Sequence, residues 1–196
     1  MAHNSSEPLT ELLDLIYAGD ANGVERQWGI LVKNMSYYDV ALKGSQKKQD
    51  RKEREQLYHV MIACACFAAR DKYDYRSNRE AGDGRYDLVF TRLGATPSRV
   101  ALLEFDIPKA KEELSRAHAN RALEQIVGKQ YLLDVMQPFS RTERFQQVVL
   151  VGMAFQGKRV KVQINERVWS EEAKDYVDLS IESTESDGPS FKKRRR

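Results

Sequence analysis

The sequence predicts a single α/β domain of three layers, in which helices flank a mixed central sheet and a small helical cap comes first. Three patterns support this fold class: helical periodicity near the amino end, several short strands joined by turns, and a helix that leads into a buried strand. The 196 residues suit one such domain, and 41% hydrophobic with 31% charged residues is typical of a globular chain.

Two helices are expected to form the cap, and a third is expected to lie against the sheet. Leucine and isoleucine recur at helical spacing over residues 8–17, Gly19 ends this helix, and a second amphipathic segment covers 21–34. The polar stretch 43–50 is typical of a loop. Residues 53–70 then place their apolar side chains on one face of a long helix.

Three strands should follow as an antiparallel meander. They are predicted at 73–78, 86–91 and 99–105. A Gly82-Asp83-Gly84 turn and a loop over 94–97 join them.

A helical crossover should come after the meander. Pro108 ends the third strand, residues 109–135 are predicted to be helical, and the Val, Leu and Met run over 146–154 is typical of a buried strand. A helix between two such strands predicts a right-handed parallel connection. Residues 159–165 alternate in polarity and are predicted to form an edge strand.

The predicted organisation is one domain over residues 1–178, with its cap at 9–43 and its core at 53–168. The remaining 179–196 are rich in Ser, Glu and Asp and end in a basic run, which predicts a disordered tail.

Composition favours an intracellular protein without a membrane anchor. No segment approaches the length of a membrane span, and the amino end lacks a secretory pattern. Cys64 and Cys66 lie in an apolar helix without nearby zinc ligands, so buried thiols are expected. The net charge of +3 is small, but basic residues cluster at 47–54 and in the tail, which favours local contact with a polyanion. The sequence leaves open a homodimer or a protein partner.

Three carboxylates mark the candidate site. Asp87 begins one apolar run, and Glu104 and Asp106 flank Phe105 at the end of another. Alternation along a strand points Glu104 and Asp106 to one face. Clustered carboxylates repel one another unless a cation joins them, and hard ions such as Mg²⁺ or Mn²⁺ prefer carboxylate oxygens. The pattern therefore favours metal-assisted phosphoryl chemistry over ordinary surface aspartates.

A glycine-containing segment resembles a phosphate-binding loop but fails in context. Residues 152–158 end before Arg159 rather than Ser or Thr, and a strand follows instead of a helix. A hairpin is expected there. His59 is expected to be a structural hydrogen-bonding residue rather than a catalyst.

Seven segments together match a known family. They are Met35-Ser36-Tyr37-Tyr38-Asp39-Val40, Tyr58-His59, Ser77-Asn78-Arg79-Glu80, Gly84-Arg85-Tyr86-Asp87, Leu103-Glu104-Phe105, Leu123-Glu124-Gln125-Ile126 with Lys129 and Tyr131, and Gly152-Met153-Ala154-Phe155-Gln156-Gly157-Lys158. Over about residues 9–162 the chain resembles the PD-(D/E)XK nuclease superfamily, specifically the nuclease-like domain often found behind an AAA-type ATPase in bacteria and archaea.

This resemblance implies a restriction-endonuclease-like core and metal-dependent hydrolysis of nucleic acid, with DNA favoured over RNA and Mg²⁺ or Mn²⁺ as cofactor. It implies Asp87 and Glu104 as metal ligands. Glu80 matches an additional acidic position and either helps to hold metal or pairs with Arg85.

Asp106 stands where the family pattern has lysine, and two hypotheses follow. In one, Asp106 binds metal or acts as a general base, as in the few restriction endonucleases that resemble this arrangement, and Lys109 and Lys111 partly replace the lysine. In the other, the site is degenerate and the fold binds nucleic acid or a protein partner without catalysis, because a carboxylate opposes the charge that develops at phosphate.

The resemblance also implies roles on the crossover helix and around the site. Gln125 and Lys129 are four residues apart and share a helical face, where they either reach substrate phosphate and orient the carboxylates or form a solvated polar stripe. Gln125 is assigned a catalytic role. The residues expected to contact nucleic acid are Arg79, Arg85, Lys109 and Lys129.

The basic end of the tail, Lys192, Lys193, Arg194, Arg195 and Arg196, has three interpretations: a nuclear localisation signal, a nucleic-acid-binding tail or a solvated end. A nuclear signal on a stand-alone nuclease domain would indicate an effector or toxin that acts on host DNA.

Overall fold

A mixed six-stranded sheet separates two helical layers in the computed structural model, as predicted. The structure describes residues 7–36, 48–77, 80–81, 84–95, 98–109, 111–129, 131 and 144–179, with backbone only at 48–50, 80–81 and 84–85. Within these ranges the helices are α1 Glu7–Ala18, α2 Ala21–Leu31, α3 Lys48–Ala68 and α4 Arg116–Gly128. The strands are β1 Tyr73–Ser77, β2 Glu80–Ala81, β3 Gly84–Arg85, β4 Leu88–Arg92, β5 Arg99–Asp106, β6 Gln147–Gln156, β7 Arg159–Ser170 and β8 Asp175–Asp178.

The predicted meander is confirmed. The sheet order is β1-β4-β5-β6-β7-β8, and β4 pairs antiparallel with both β1 and β5. The short β2–β3 hairpin stands apart as its own two-stranded sheet. Its turn residues, Gly82 and Asp83, lie outside the described residues. The strand predicted from Tyr86 begins only at Leu88, which leaves Asp87 immediately before β4.

The parallel crossover is confirmed, although its helix is shorter than predicted. Strands β5 and β6 run parallel, with α4 between them in sequence. The segment 109–115 was expected to be helical, but α4 begins only at Arg116. Pro108 cannot donate a backbone hydrogen bond, and Lys111 has a positive φ of 77°, which a right-handed helix does not allow. Residues 132–143, the predicted end of this helix, lie outside the described part of the chain.

Residues 159–165 form the predicted strand, and within the described register they pair with β6 alone, so they lie at the edge of the sheet as expected. Strand β7 continues beyond this prediction to Ser170, and β8 pairs antiparallel only with its last residues, Arg167–Ser170. The sequence signal for β8 is weak because Asp175-Tyr176-Val177-Asp178 is too short to show a period and both of its ends are aspartate, a poor strand former. In the part of β7 that β8 does not reach, Glu25 of α2 accepts a hydrogen bond from the Val162 amide, and Arg116 donates to the Val162 carbonyl. These side chains satisfy backbone groups at the sheet edge that would otherwise be open to pairing with another strand.

The predicted cap helices are confirmed as α1 and α2, and the long helix is confirmed as α3. The loop predicted over residues 43–50 is wrong for 48–50, because α3 already begins at Lys48. Lys48 and Gln49 are residue types that form helices readily, so their polarity is compatible with a solvated helical turn. Residues 43–47 are not described. None of the helices in the described ranges combines the length and apolarity of a membrane span.

Apolar side chains fill both faces of the sheet. One cluster joins α1, α2 and α3 to the sheet and includes Trp28, Tyr58 and Phe155. Tyr58 and Phe155 stack with their ring centroids 4.4 Å apart. A second cluster lies between the sheet and α4 and includes Leu102, Ile126 and Leu150. Side chains from both helical layers reach the carboxyl end of β5, where the polar residues Glu104 and Asp106 lie.

Helix α4 lies directly on β6 at Gly152. A Cβ at Gly152 would overlap the Ala119 carbonyl oxygen and come within 2.7 Å of the Leu123 amide nitrogen. Only glycine permits this close approach of two backbones. Because Glu104 pairs with Gly152 and Asp106 with Ala154, the contact places α4 beside the end of β5.

Candidate active site

Asp87 and Glu104 lie together, as the sequence predicted. The register pairs Leu88 with Leu103, so the residue before β4 lies beside the end of β5. Asp87 Oδ2 accepts a hydrogen bond of 2.7 Å from the Phe105 amide. This bond holds the Asp87 carboxylate against the strand that carries Glu104.

His59 holds the backbone of Asp87 in place. Its Nε2 lies 3.0 Å from the Asp87 carbonyl oxygen, so Nε2 carries the proton and donates. His59 is 8% exposed and lies on α3. Its position fits the structural role expected of it. The backbone that it supports belongs to Asp87, a residue of the candidate site.

Glu104 carries a buried oxygen without a partner. The residue is 6% exposed, and Oε2 makes no hydrogen bond to any residue that the structure describes. Burial raises the pKa of Glu104 far above the usual glutamate range, and the negative charges of Asp87 and Glu55 raise it further, against the opposing effect of Lys129. Such an orphaned oxygen is costly unless a proton or a cation satisfies it.

The pKa of Asp87 is raised as well, mainly by burial, although the Phe105 amide and Lys129 favour its charged form. Two neighbouring carboxyls with raised pKa values retain protons more readily than ordinary acids do. A cation that binds both would displace those protons.

Glu55 and Lys129 complete the charges around the pair. Glu55 of α3 has a raised pKa through burial and through the charge of Asp87. At the end of α4, burial opposes the charged form of Lys129, but Tyr131, Glu104 and Asp87 outweigh this effect and raise the Lys129 pKa. No pattern in the sequence selects Glu55, although it lies one helical turn from Arg51.

Asp106 is held between two arginines. It is 2% exposed, and its carboxylate oxygens accept from Arg51 at 2.7 Å and from Arg121 at 2.9 Å. Arg51 belongs to α3 and Arg121 to α4, so the ion pairs join the two helical layers. We call these three residues the arginine clamp. Neither arginine was singled out in the sequence, because their approach depends on the packing of both helices.

The clamp borders an open cleft of about 420 Å³, which is lined by Arg51, Asp106, Arg121, Glu124 and Gln125. Gln125 thus lies at the clamp, on the face of α4 that the sequence predicted for it. Lys129 follows one turn further along the chain, and its charge acts on both Asp87 and Glu104.

The contacts of the described side chains do not include the other predicted residues. Lys109 and Lys111 are exposed, and no ion pair joins either of them to Asp87, Glu104 or Asp106 in the described geometry. Glu80 and Arg85 face each other as cross-strand partners in the β2–β3 register, and their side chains are not described.

Arg79 and the basic run over residues 192–196 lie outside the described residues.

The segment that resembles a phosphate loop is a hairpin, as expected. Gly157 and Lys158 form the turn between β6 and β7, and Gly157 has a φ of 59°. The Gly157 carbonyl accepts a hydrogen bond from Tyr58 and therefore points into the fold. No helix follows whose amino end could bind phosphate.

The residues present fit a divalent cation in part. Among the described residues, no group of three or more His, Cys, Asp and Glu side chains is placed to hold a metal ion. The Asp87 and Glu104 pair nevertheless offers oxygen ligands, one of them orphaned. Mg²⁺ commonly uses one or two carboxylates and fills its other positions with water and substrate phosphate.

Comparison with known proteins gives one family match. A model of the PD-(D/E)XK nuclease superfamily matches residues 53–165, more than half of the chain. This range runs from α3 to β7 and includes both carboxylates and the clamp residues Asp106 and Arg121. A search of curated proteins gave no match.

Proposed function

Because the chain belongs to the PD-(D/E)XK nuclease superfamily, we propose that it is a metal-dependent nuclease that hydrolyses phosphodiester bonds at Asp87 and Glu104. The observation that carries this proposal is the buried Oε2 of Glu104, which makes no hydrogen bond to a described residue, beside the anchored carboxylate of Asp87. A structural salt bridge would have satisfied that oxygen. A cation satisfies it while leaving positions open for water and phosphate.

The protein's own groups prepare this chemistry. The Phe105 amide and the His59 ring fix Asp87 at its side chain and at its backbone. Oε2 of Glu104 makes no hydrogen bond within the described part of the chain and is therefore the oxygen proposed for coordination. When bound, Mg²⁺ or Mn²⁺ supplies an activated water and a Lewis acid for the phosphate oxygen.

Lys129 is the cation that faces the pair in this proposal. Its charge stabilises the ionised forms of both Asp87 and Glu104. The same charge would stabilise the developing negative charge on a phosphate between them. In this proposal Lys129 takes over the electrostatic role of the motif lysine. Asp106 is assigned no role as base or metal ligand, because both its oxygens accept hydrogen bonds from arginine.

The proposed substrate is DNA rather than RNA, on the resemblance to restriction endonucleases. A nuclear address and an effector or toxin role rest on the tail residues 192–196 alone. Fusion of this tail to a fluorescent reporter tests them, and absence of nuclear enrichment would reject both.

A second candidate function is a catalytically silent nuclease fold that binds nucleic acid or a protein partner. The observation that favours it is Asp106, whose ion pairs occupy the position of the motif lysine. The two candidates differ in whether Asp87 and Glu104 bind a divalent cation.

Cleavage assays separate the two candidates. Purified protein is incubated with linear DNA, supercoiled DNA and RNA in Mg²⁺ or Mn²⁺, beside Glu104→Gln, which preserves shape but removes the charge. We expect wild-type cutting that requires the metal and falls at least 100-fold in Glu104→Gln, as the loss of a group that binds the catalytic ion implies. Wild-type protein that leaves every substrate intact, and that shows no thermal shift with Mn²⁺, would favour the silent fold.

A further inference from the structure

The arginine clamp keeps hydrogen-bonding capacity beyond its own ion pairs. The Arg51 and Arg121 side chains are 42% and 48% exposed, whereas that of Asp106 is 3% exposed. A guanidinium carries five N–H donors, and each arginine gives one terminal nitrogen to Asp106. Arg51 Nε is buried and therefore not open to a ligand, which leaves the remaining N–H groups of the terminal nitrogens. Donors therefore remain for a ligand in the cleft.

Neighbouring carboxylates do not use up these donors. Glu112 approaches Arg121 only to 3.7 Å, because its Oε2 already accepts from the Lys109 amide at 3.0 Å and lies 3.2 Å from His118 Nε2. Glu124 lines the cleft but is exposed and forms no ion pair with either arginine in the described geometry. The two guanidinium groups share one buried carboxylate, so the clamp itself carries a net positive charge.

The clamp lies next to the carboxylate pair. Asp106 follows Glu104 by two residues on the same face of β5, about 6.5 Å along the strand. Glu55 links the two sites electrostatically, because the charges of both Asp87 and Asp106 raise its pKa while Arg51 opposes them. A nucleic-acid strand held at Asp87 and Glu104 would therefore pass the clamp.

We propose that Arg51 and Arg121, oriented by Asp106, bind a backbone phosphate of the nucleic-acid strand beside the phosphate held at Asp87 and Glu104. The proposal rests on the proposed function for its class of substrate. Guanidinium groups bind phosphate through paired N–H donors, and a shared carboxylate fixes their planes in advance. Asp106 is thus a positioning residue, and Gln125 offers a neutral amide donor in the same cleft.

The test measures binding without cleavage. Fluorescein-labelled DNA and RNA of one sequence are titrated with protein in Ca²⁺, and intact label is verified on a gel. Affinity is followed by anisotropy over a series of salt concentrations. The variants are Arg51→Gln, Arg121→Gln and Asp106→Asn. Arg167→Gln serves as the matched control, because Arg167 pairs with Asp178 on β7, away from the clamp.

We expect Arg51→Gln and Arg121→Gln each to weaken binding roughly tenfold and to lower the salt slope by about one. Arg167→Gln removes the same charge and should stay within about twofold of wild type. Asp106→Asn should also weaken binding, although it makes the protein more positive. A merely electrostatic effect of Asp106 has the opposite sign, so this variant separates orientation from charge. Arg121→Lys keeps the charge but loses the paired N–H donors of the guanidinium. Its affinity should lie between those of wild type and Arg121→Gln.

Three outcomes would overturn the clamp: arginine variants that behave like Arg167→Gln, tighter binding by Asp106→Asn, or no binding by the wild type. Cleavage of the same substrates in Mn²⁺ distinguishes the clamp from the nuclease. Wild-type cutting that is unchanged in the arginine variants would reject the clamp and leave the nuclease. Wild-type binding with the expected slopes but without any cutting would reject the nuclease and leave the clamp.

Discussion

At the scale of single residues, the site depends on which carboxylate oxygens have partners. Asp87 is fixed by the Phe105 amide, Asp106 by two arginines, and Glu104 retains a buried oxygen with no partner among the described residues. Three acids of similar appearance in the sequence therefore have three different environments. Burial without a partner makes Glu104 the most costly to ionise and the most responsive to a cation.

The first prediction concerns Glu104 and pH. Its raised pKa means that the folded state binds a proton more tightly than the unfolded chain does, so stability without metal should fall as pH rises above the ordinary glutamate range. Glu104→Gln removes the contribution of Glu104 to this dependence and should raise the free energy of unfolding by about 1–3 kcal/mol over wild type at pH 8 in EDTA. Urea unfolding between pH 5 and 9 measures both slopes.

Glu172→Gln is the control for that series, since Glu172 is exposed in the β7–β8 turn and should leave the wild-type slope unchanged. If the free energy of unfolding varies with pH in the same way for wild type and Glu104→Gln, ionisation of Glu104 does not destabilise the fold, and the prediction is contradicted.

The second prediction concerns His59, whose Nε2 donates to the Asp87 carbonyl. His59→Ala leaves that buried acceptor unsatisfied and should cost about 1–2 kcal/mol of stability. Because Asp87 loses its backbone support, affinity for Mn²⁺ should fall about tenfold or more. His59→Gln can place an amide nitrogen near the position of Nε2 and should restore much of the affinity. Calorimetric titration with Mn²⁺ would contradict this role if the Ala and Gln variants bind alike.

At the scale of elements, one glycine determines where α4 lies. Gly152 lets the backbone between Ala119 and Leu123 rest on β6, and Arg121 lies between these two residues. The parallel register sets Asp106 of β5 beside Ala154, which lies two residues after Gly152 on β6. The contact at Gly152 therefore brings Arg121 within 2.9 Å of Asp106 and sets Gln125 at the cleft.

The third prediction follows from this contact. Gly152→Ala adds a methyl group against backbone atoms that cannot rotate away, so it should destabilise the fold by about 1–3 kcal/mol. Gly29→Ala on α2 is a matched control, because a Cβ there meets nothing within 4 Å and should stabilise the helix by up to about 1 kcal/mol. Equal unfolding midpoints for the two variants would mean that α4 can shift freely.

At the scale of the whole molecule, the arginine clamp connects the two sides of the sheet. Arg51 comes from the layer of α1, α2 and α3, and Arg121 comes from α4 on the other face. Both ion pairs end on one buried carboxylate. The site therefore includes contributions from every layer, and its geometry depends on the complete fold.

The fourth prediction is that Asp106→Lys does not restore a lysine motif. The new ammonium would be buried between two guanidinium groups, and burying an unpaired charge costs several kcal/mol in addition to the repulsion of like charges. We expect a large loss of stability and no gain in cutting. Asp106→Asn should be milder, since it keeps the shape without adding charge. Thermal unfolding and cleavage assays decide, and increased cutting by a stable Asp106→Lys protein would support the degenerate-site hypothesis.

The sequence by itself determined the layers, the meander and the pairing of Asp87 with Glu104. Strand alternation, glycine turns and Pro108 are local signals, and adjacent antiparallel strands bring nearby residues together. It also supported the family assignment, because the motif segments are contiguous in the chain.

Only the tertiary structure decided the partners of those residues. Arg51 and Arg121 are separated from Asp106 by 55 and 15 residues and reach it from opposite faces of the sheet. The orphaned oxygen of Glu104, the proximity of Glu55 and the late start of α4 likewise depend on packing. Local periodicity specifies the face on which a side chain lies, whereas hydrogen bonding and burial depend on the elements that pack against that face.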